Sequence, residues 1–552
     1  MAYAFGIDLG TTYSCISYVD KAGKAEVLKN SEGDSITPSV VMVESKNNIV
    51  VGIEAKNSIE TDADKTIAFI KRKIGEENSK VELNGETYDA TEISSMILKK
   101  LVNDANSSLI QNGVIQEGEE IKDVVITCPA YFGANKREAT KSAGKLAGLN
   151  VLDIINEPTA AAISYGVSGK EKDETVLVYD LGGGTFDITV MNINANNVTV
   201  LCSDGDDTLG GKDWDEALLN YVCKRYSDDK GSDLSDDADE YARLILETEK
   251  WKRSLTAKEK TNISASGEDG KLREELTREK YEELTSDLLA RTKNLLDDVL
   301  RVSESKGYPL SKIDKVLLVG GSTRMPQVSA MIEKDYNIKP VLADPDEAVA
   351  KGAAIYASNR KAYSDFVINE AVKQGKTAEE IMEENSNTGE LDKKFALSAE
   401  AATLGMKCIN VKNTLSRSYG IKIRCEDGVS RINNLIMIND PTPTSITNEY
   451  STSCDNQEGV DIELYENKST EGYIEIGERK PITVFNMKFQ RQVPIHTGIE
   501  ITISLDNSGI IHIFAVEELY GSQLTAEFKL SNQLSDEEFS NALSRMNSLT
   551  VE

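Results

Sequence analysis

The chain has 552 residues, of which 39% are hydrophobic and 28% are charged, and its formal net charge is −30. This length accommodates about two to four domains, and the charge argues against nucleic acid or an anionic membrane as the main partner. No apolar run approaches membrane-spanning length, the first strand leaves no room for a signal peptide, and the seven cysteines are scattered. We therefore expect reduced thiols and a cytoplasmic location. The two histidines, His496 and His512, lie near the C-terminus, so zinc and a Ser-His-Asp triad are not expected elsewhere.

A glycine motif opens the chain at 6–12 (GIDLGTT), and a close copy follows at 179–185 (YDLGGGT). In each copy an apolar run enters Asp-Leu-Gly, and a second β-rich run follows the turn, at 15–19 and at 186–191. This order predicts a hairpin whose turn exposes backbone N–H groups to a phosphate, beside a carboxylate that orders hydrated Mg²⁺. A single copy is more typical of an ordinary hairpin. Two copies indicate a duplicated domain that clamps a nucleotide from both sides.

Predicted strands and helices alternate through the first two thirds of the chain, at the spacing of an α/β fold. Between the two motifs the predicted elements are strands at 124–128 and 151–155 and helices at 134–146 and 159–165. The stretch 213–302 is predicted to be mostly helical. A strand at 316–319 then opens into a third glycine motif, 320–323 (GGST), and a helix begins near Pro326. These glycines let a base or ribose lie against the backbone, and the helix N-terminus favours a nearby phosphate.

The rest of the chain changes character twice. Residues 361–410 are charged and helix-prone and carry no motif with an evident chemistry. The segment 375–377 (GKT) resembles the end of a P-loop, but Glu370 stands where the first glycine is required. After about residue 412, short β-rich runs alternate with turns as in a sandwich, and 506–509 (DNSG) is the clearest hairpin turn. A capping box at 535–538 opens a final amphipathic helix.

Taken in this order, the three glycine motifs resemble those of the DnaK-type 70-kilodalton heat-shock chaperones, in the actin and sugar-kinase superfamily. Further segments that share the resemblance are 69–72 (FIKR), 126–132 (ITCPAYF), 154–162 (IINEPTAAA), 209–213 (LGGKD), 251–255 (WKRSL) and 344–350 (DPDEAVA). The resemblance implies a multidomain fold. Its implied parts are an actin-like, two-lobed α/β ATPase domain (1–360), a charged helical insert and linker (361–412), an all-β peptide-binding sandwich (413–534) and the start of a lid-like helix (535–552).

The resemblance also implies that ATP is hydrolysed to ADP and phosphate in a cleft between the two lobes. Lys71 would neutralise developing charge and help place the attacking water, which Glu157 orients and Asp187 assists as a weak base. Asp8 and Asp180 would hold Mg²⁺ through its waters; Asp180 also counts among the catalytic residues, and K⁺ is a further candidate ion. Without the resemblance, Lys71 reads as a solvated surface lysine. The implied ATP-binding residues are Gly10, Thr11, Thr12, Tyr13, Gly182, Gly183, Gly184, Thr185, Gly210, Gly211, Glu249, Lys252, Arg253, Thr256, Gly320, Gly321, Ser322, Arg324 and Asp346.

In the sandwich the resemblance implies a channel for extended apolar segments of unfolded polypeptides, which recognises hydrophobicity and not a particular sequence. The implied channel residues are Ile423, Tyr450, Val460 and Ile462. Ile423 is placed on a loop that faces the other three. The alternative is that all four belong to the core of a sandwich. Pro129 and Arg137 match the switch by which family members report the nucleotide state to this domain.

The chain departs from the family pattern in several places. No short leucine-rich linker is visible, the first channel loop (424–428) is longer and more charged than usual, and the helical lid is absent after its first turns. Asp153 stands where the family has an arginine used by J-domain co-chaperones, which reverses the charge offered to that partner. A nucleotide-exchange factor is the other implied partner. We therefore identify the chain as a divergent member of the family, an ATP-dependent chaperone in protein folding and the stress response.

Three other functions remain open for this fold. One is a nucleotide-binding co-chaperone or holdase of the same family with little hydrolysis, against which Lys71, Glu157 and Asp180 argue. A small-molecule kinase needs a carboxylate base in a hydroxyl-binding pocket and has no use for a C-terminal sandwich. A cytoskeletal filament is disfavoured by the appended domain and by the charge of −30.

Overall fold

The computed structural model describes residues 3–76, 79–166, 173–194, 197–385, 390–398, 401, 409–505, 510–528 and 536–552. The turn predicted at 506–509 and the first residue of the predicted capping box, Ser535, lie outside these ranges. Within them, no helix combines the length and the apolar character that crossing a bilayer requires. The described residues form two α/β lobes, a helical insert, a β-sandwich and a C-terminal helix, which confirms the predicted multidomain fold.

The first lobe is built on a twisted sheet flanked by helices. Its strands are β1 (Phe5–Asp8), β2 (Tyr13–Val19), β3 (Ala25–Val27), β4 (Thr37–Pro38), β5 (Val40–Ser45), β6 (Asn48–Val51), β7 (Thr66–Ala68), β8 (Val81–Leu83), β9 (Glu86–Tyr88), β10 (Asp123–Cys128) and β11 (Asn150–Asn156). Its helices are α1 (Ile53–Asn57), α2 (Ala90–Gln111), α3 (Ala134–Leu146) and α4 (Glu157–Gly166). The main sheet has the order β11-β10-β1-β2-β3, in which β10 pairs in parallel with both β1 and β11. Strands buried on both faces need continuous apolar runs, as at 124–128.

The second lobe repeats this plan. Its strands are β12 (Glu174–Leu181), β13 (Phe186–Asn194), β14 (Asn197–Asp206), β15 (Lys260–Gly267), β16 (Gly270–Thr277), β17 (Lys315–Val319) and β18 (Val341–Leu342). Its helices are α5 (Gly211–Lys230), α6 (Ala238–Ala257), α7 (Arg278–Leu284), α8 (Ser286–Ser305) and α9 (Pro326–Tyr336). Both predicted glycine hairpins form, as β1–β2 and β12–β13. The stretch 213–302 is mostly helical, as predicted, but it is interrupted by the β15–β16 hairpin, which buries Ile263 and Leu272.

A long helix connects the first lobe to the insert. The helices in this part are α10 (Ala348–Gln374), α11 (Ala378–Asn385) and α12 (Glu390–Ala396). α10 packs on α4 so closely that a Cβ at Gly352 would overlap the backbone of Ala160. Its second half joins α11 and α12 in a separate small core that contains Phe366, Ile381 and Phe395. Since α10 runs through residue 360, the lobes and the predicted insert share one helix.

The sandwich consists of two sheets with a common core. Its strands are β20 (Ser418–Arg424), β21 (Ser430–Ile436), β22 (Thr444–Ser451), β23 (Gln457–Asn467), β24 (Tyr473–Glu475), β25 (Thr483–Val493), β26 (Gly498–Leu505), β27 (Ile511–Glu517) and β28 (Gln523–Phe528), preceded by β19 (Asn410–Lys412). The sheets have the orders β24-β21-β20-β23-β25 and β22-β26-β27-β28. Ile423 lies within β20, so its predicted placement on a loop is wrong. The β20 ladder with β21 extends to Arg424, one residue beyond it.

Hydrogen bonds attach the sandwich, and the strand that precedes it, to the second lobe. β19 adds to β14 as a parallel strand, so the segment before the sandwich extends the second lobe's sheet. In addition, Ser203 of β14 donates its N–H to the side-chain oxygen of Asn439 at 2.9 Å. The ammonium of Lys306 donates to the carbonyl oxygen of Asn439 at 2.7 Å. The described end of the predicted linker, β19, is therefore bonded to the second lobe.

The last residues of the chain belong to the first lobe. Helix α13 (Asp536–Ser548) buries Ala542 and Met546 in the core that also contains Ile93 and Ile97 of α2. The strand that follows, β29 (Thr550–Val551), pairs in parallel with β6. Three backbone bonds fix this pairing: the N–H of Thr550 donates to the Asn47 carbonyl at 2.9 Å, that of Glu552 to the Ile49 carbonyl at 2.9 Å, and that of Val51 to the Glu552 carbonyl at 2.8 Å.

Charged side chains complete this docking. The guanidinium of Arg545 forms an ion pair with Glu92, whose carboxylate is 5% exposed, and lies over the Tyr88 ring at 4.7 Å. Glu92 also accepts the N–H of Asp89 at 2.8 Å at the start of α2. At the same, C-terminal end of α13, the ammonium of Lys99 donates to the Met546 carbonyl at 3.1 Å, which satisfies a free carbonyl and interacts favourably with the helix dipole.

We expect Arg545→Ala to loosen α13 and β29, because Glu92 would stay buried without its counter-charge. The free energy of docking should fall by about 2 kcal/mol. Hydrogen exchange of the Val51 amide, which is bonded to the Glu552 carbonyl, should then accelerate. The matched control is Arg491→Ala, which removes an arginine that stacks on Tyr520 at 5.5 Å within the sandwich. Unchanged protection of Val51 in Arg545→Ala would contradict this account.

Candidate functional site

The two glycine turns face each other across the gap between the lobes. A Cβ at Gly183 would overlap the side chain of Thr12, and a Cβ at Gly184 would overlap that of Thr11. Glycine is therefore required in the second turn because the first turn occupies the space of a side chain. Backbone N–H groups from both hairpins are thus brought close to the same point, as a bound phosphate needs.

A cleft of about 650 Å³ opens beside these turns. The predicted site residues that line it are Asp8, Gly10, Thr11, Thr12, Tyr13, Lys71, Glu157, Asp180, Gly182, Gly183, Thr185, Gly211, Glu249, Lys252, Arg253, Thr256, Gly320, Gly321, Ser322, Arg324 and Asp346. Gly184, Gly210 and Asp187 do not line it. Pro129 and Arg137 also lie away from its wall. The three glycine motifs and helix α6 therefore converge on one cavity, and the binding of ATP there stays a prediction.

A buried ion pair lies at the inner end of the cleft. The ammonium of Lys71 is 2.5 Å from the Glu157 carboxylate, and only 4% of Lys71 is exposed, which excludes the solvated surface lysine. Burial opposes the charged form of Lys71, but attraction to Glu157 and Asp8 outweighs it and raises the pKa of Lys71. Burial and then repulsion by Glu157 raise the pKa of Asp8 to about 7 and the pKa of Asp180 well above its usual range.

These groups fit a hydrated divalent cation. Lys71 supplies an ammonium to the cluster of Asp8, Glu157, Asp180 and Asp187. Burial and repulsion by neighbouring carboxylates raise the pKa of the three aspartates, so a cation that enters can take the place of their protons. In the described part of the chain, no three His, Cys, Asp or Glu side chains converge closely enough to ligate one metal ion directly. The roles of Asp8 and Asp180 concern the water shell of Mg²⁺ and stay predictions.

The part of the cleft that is predicted to hold the nucleoside has a polar wall. Arg324 and Asp346 form an ion pair at 2.5 Å, and the hydroxyl of Ser322 donates to the Gly182 carbonyl at 2.9 Å. On α6, the ammonium of Lys252 donates to Asp215 at 2.7 Å, and Arg253 pairs with Glu249 at 2.8 Å. The third motif and α6 thus form one wall, on the second lobe.

Lys56 joins this wall to the first lobe, and it was not among the residues predicted from the sequence. Its ammonium lies 2.5 Å from the Glu249 carboxylate and donates to the Tyr13 hydroxyl at 2.7 Å. Burial opposes the charge of Lys56, but Glu249 outweighs it and raises the pKa of Lys56. Lys56 lies on α1, outside the glycine motifs. Its role depends on contact with Glu249 of α6, far along the chain, and no local pattern in the sequence indicates that contact.

The predicted switch residues surround the turn that follows β10. Arg137 donates to the Ala130 carbonyl at 3.1 Å and to the side-chain oxygen of Asn156, next to Glu157, at 2.6 Å. The N–H of Tyr131 donates to the Asp187 carboxylate at 3.1 Å, while burial, followed by Glu157, raises the pKa of Asp187 well above its usual range. The turn that begins at Pro129 is therefore bonded to both carboxylate-bearing segments.

The sandwich contacts this same turn through Tyr131 and Phe132, which are not among the predicted switch residues Pro129 and Arg137. The Tyr131 ring has the Arg417 guanidinium at 4.3 Å and the Lys468 ammonium at 4.2 Å. The hydroxyl of Ser416 donates to the carbonyl of Phe132 at 3.1 Å. One tyrosine therefore bonds to the acidic cluster through its backbone and to the sandwich through its ring.

The four predicted channel residues belong to the two sheets of the sandwich. Ile462 is 3% exposed and lies in the core, whereas Ile423, Tyr450 and Val460 are partly buried against it. The hydroxyl of Tyr450 accepts the side-chain amide of Asn433 at 2.9 Å. Ile462 is thus packed as the alternative interpretation expects, as a residue of the sandwich core. A peptide-contacting role for any of the four stays a prediction.

Comparison with known families agrees with this geometry. A family model described as "Hsp70 protein" matches residues 4–386 and 397–552. The chain belongs to the Hsp70 family. Hsp70 proteins are heat-shock chaperones that bind nucleotides and are generally ATPases. Membership of the family therefore supports a role in protein folding. The mixed lobes and the sandwich are those expected for this Hsp70.

We expect Lys56→Ala to speed the release of a bound nucleotide about tenfold, since it removes a charge-assisted bond across the cleft worth about 1.5 kcal/mol. The rate is measured by displacement of a fluorescent ADP in a stopped-flow instrument. Lys24→Ala is the matched control, because Lys24 pairs with Glu26 at 3.3 Å on the surface of the first lobe. An equal release rate in wild type and Lys56→Ala would exclude the cross-cleft role.

Proposed function

We propose that this Hsp70 is an ATP-driven chaperone that binds extended apolar segments of unfolded polypeptides, with the nucleotide state controlling peptide affinity. ATP is hydrolysed to ADP and phosphate in the cleft between the lobes. The observation that carries the proposal is Tyr131, which bonds to Asp187 through its N–H and to Arg417 and Lys468 through its ring. A change at the acidic cluster can thus reach the sandwich through a single turn.

Within the cleft, each residue has a proposed part in hydrolysis. The backbone of the two glycine turns binds the phosphates, and Lys71 places positive charge beside them. Glu157, held 2.5 Å from Lys71, orients the attacking water, and Asp187 accepts its proton as a weak base. Asp8 and Asp180 hold the water shell of Mg²⁺, which supplies neutralising charge for the phosphates when bound. K⁺ is a further ion that we propose for this site.

Peptide binding is proposed for the sandwich edge that carries Ile423, Tyr450 and Val460. These residues are only partly buried, and their strands, β20, β22 and β23, come from both sheets. An extended segment would gain backbone hydrogen bonds and one apolar contact, so hydrophobicity and not sequence would be recognised. Ile462 would act from beneath, as the floor of the contact, because it is buried.

Two co-chaperones are proposed as partners, together with a cytoplasmic location. A nucleotide-exchange factor would act on the cross-cleft contacts. A J-domain partner would meet Asp153, whose carboxylate accepts the Tyr356 hydroxyl at 2.9 Å and lies 3.3 Å from Arg360. The reversed charge is thus balanced within the chain by a neighbouring arginine. The six described cysteines are free, which fits a reducing compartment.

The test is the fluorescence anisotropy of a labelled, extended, leucine-rich peptide titrated with the full chain in ADP and then in ATP. We expect binding in ADP and release on addition of ATP. Tyr131→Ala should abolish this difference, because the ring contacts with Arg417 and Lys468 are lost, and should leave hydrolysis within about threefold of wild type, since the backbone bond to Asp187 is kept. Tyr473→Ala is the matched control, an exposed tyrosine on the sandwich.

Each alternative has its own result in this experiment. Equal peptide affinity in ADP and ATP, with hydrolysis intact, would contradict nucleotide control. Peptide binding without hydrolysis would identify a holdase of the same family. Hydrolysis without peptide binding would contradict the client-binding role and leave an ATPase that acts on another partner.

A further inference from the structure

Arg72 reaches across the cleft, although it follows Lys71 directly in the chain. Both lie in the short 3-10 helix Ile70–Lys73 of the first lobe. The guanidinium of Arg72 donates from Nε to the Gly184 carbonyl at 2.9 Å and from Nη2 to the Asp213 carboxylate at 2.7 Å. Both acceptors belong to the second lobe, so Arg72 binds the second glycine turn from the opposite side.

Asp213 makes this contact part of a larger unit. Its carboxylate also accepts the N–H of Gly210 at 2.7 Å, at the start of α5. The first N–H groups of α5 return to the glycine turn: Gly211 donates to the Gly182 carbonyl at 2.9 Å, and Lys212 donates to the Gly183 carbonyl at 2.8 Å. The glycine turn, the N-terminus of α5 and Arg72 are therefore linked by consecutive hydrogen bonds.

The backbone before Arg72 is shaped for this crossing. Phe69, the residue that precedes the 3-10 helix, has φ of 60°, a left-handed conformation that is unusual for an aromatic residue. Its ring lies under the ammonium of Lys212 at 4.8 Å, which adds a second contact with α5. The strained turn allows Lys71 and Arg72 to take different directions, one to Glu157 and the other to Asp213.

Arg72 is absent from the residues that line the cleft, whereas Lys71, Gly182 and Gly183 all line it. Its effect on a bound phosphate must therefore pass through the Gly184 carbonyl and the α5 N-terminus. Opening of the lobes would break both of its bonds to the second lobe. Arg72 thus fixes the position of the second glycine turn relative to Lys71 only when the lobes are closed.

We propose that Arg72 is a positioning residue for hydrolysis: it aligns the second glycine turn with Lys71 and Glu157 after the nucleotide has bound. This rests on the proposed ATPase function. Its signature is a fall in kcat without an equal fall in nucleotide affinity, since Arg72 does not line the cleft. An arginine that only stabilised the closed lobes would change binding and hydrolysis together.

The test compares Arg72→Ala, Arg72→Lys and Arg225→Ala in the full chain. Arg225 is the matched control, because it also lies on an ion pair of α5, with Glu274 at 3.0 Å, outside the cleft. Single-turnover hydrolysis of ATP and the Kd of a fluorescent ATP analogue are measured on each. We expect Arg72→Ala to hydrolyse about 10- to 100-fold more slowly, with Kd within about threefold of wild type. The hydrolysis rate of Arg72→Lys should lie between those of wild type and Arg72→Ala, since one ammonium cannot donate to both acceptors in the same geometry.

A double-mutant cycle tests the route of the effect. Asp213→Asn keeps the size of the side chain but weakens the ion pair. We therefore expect the double variant to lose less of the hydrolysis rate than the sum of the losses in Asp213→Asn and Arg72→Ala, each expressed as a free energy. Additive losses would overturn the proposed unit. Wild-type hydrolysis in Arg72→Ala, or a Kd that rises as much as the rate falls, would overturn the positioning role alone. Absence of hydrolysis in the wild-type chain would overturn the proposed ATPase function, and the role of Arg72 with it.

Discussion

The buried pair of Lys71 and Glu157 is the interaction on which the site depends. An ammonium that is 4% exposed needs a counter-charge, and the pair lies among aspartates whose pKa values are raised by burial and by neighbouring carboxylates. The cluster therefore favours protons or cations as partners. The glycine turns, helix α6 and the third motif enclose this cluster, so the binding of charge and the closure of the lobes are linked by the same few residues.

The connection to the sandwich follows from where the carboxylates lie. Asp187 does not line the cleft and accepts the Tyr131 N–H, and Asn156, beside Glu157, accepts from Arg137. Both bonds end at the turn after β10, which carries the ring that Arg417 and Lys468 contact. Under the proposed function, a change in charge within the cluster would act on the partners of this turn directly. The energy available is that of a few charge-assisted bonds, on the order of a few kcal/mol.

Local signals in the sequence predict the parts of this molecule that depend on local chemistry. Such signals extend over only a few neighbouring residues. They include the glycine turns, the helix at Pro326 and the β-rich runs after 412, and the motif residues of the cleft were predicted from them. Lys56 and Arg72 could not be predicted in this way, since their partners Glu249 and Asp213 lie 193 and 141 positions further along the chain. Ile423 was misplaced because strand ends carry weak signals, and the β15–β16 hairpin because charged residues mask its apolar face.

The pairing of β29 with β6 has a consequence for the sandwich as a moving body. β19 anchors the segment before the sandwich to the second lobe, and β29 anchors the segment after it to the first. Within the sandwich itself, Asn439 adds further bonds to the second lobe. Because the chain is bonded to different lobes before and after the sandwich, a separation of the lobes would have to move the sandwich relative to at least one of these attachments.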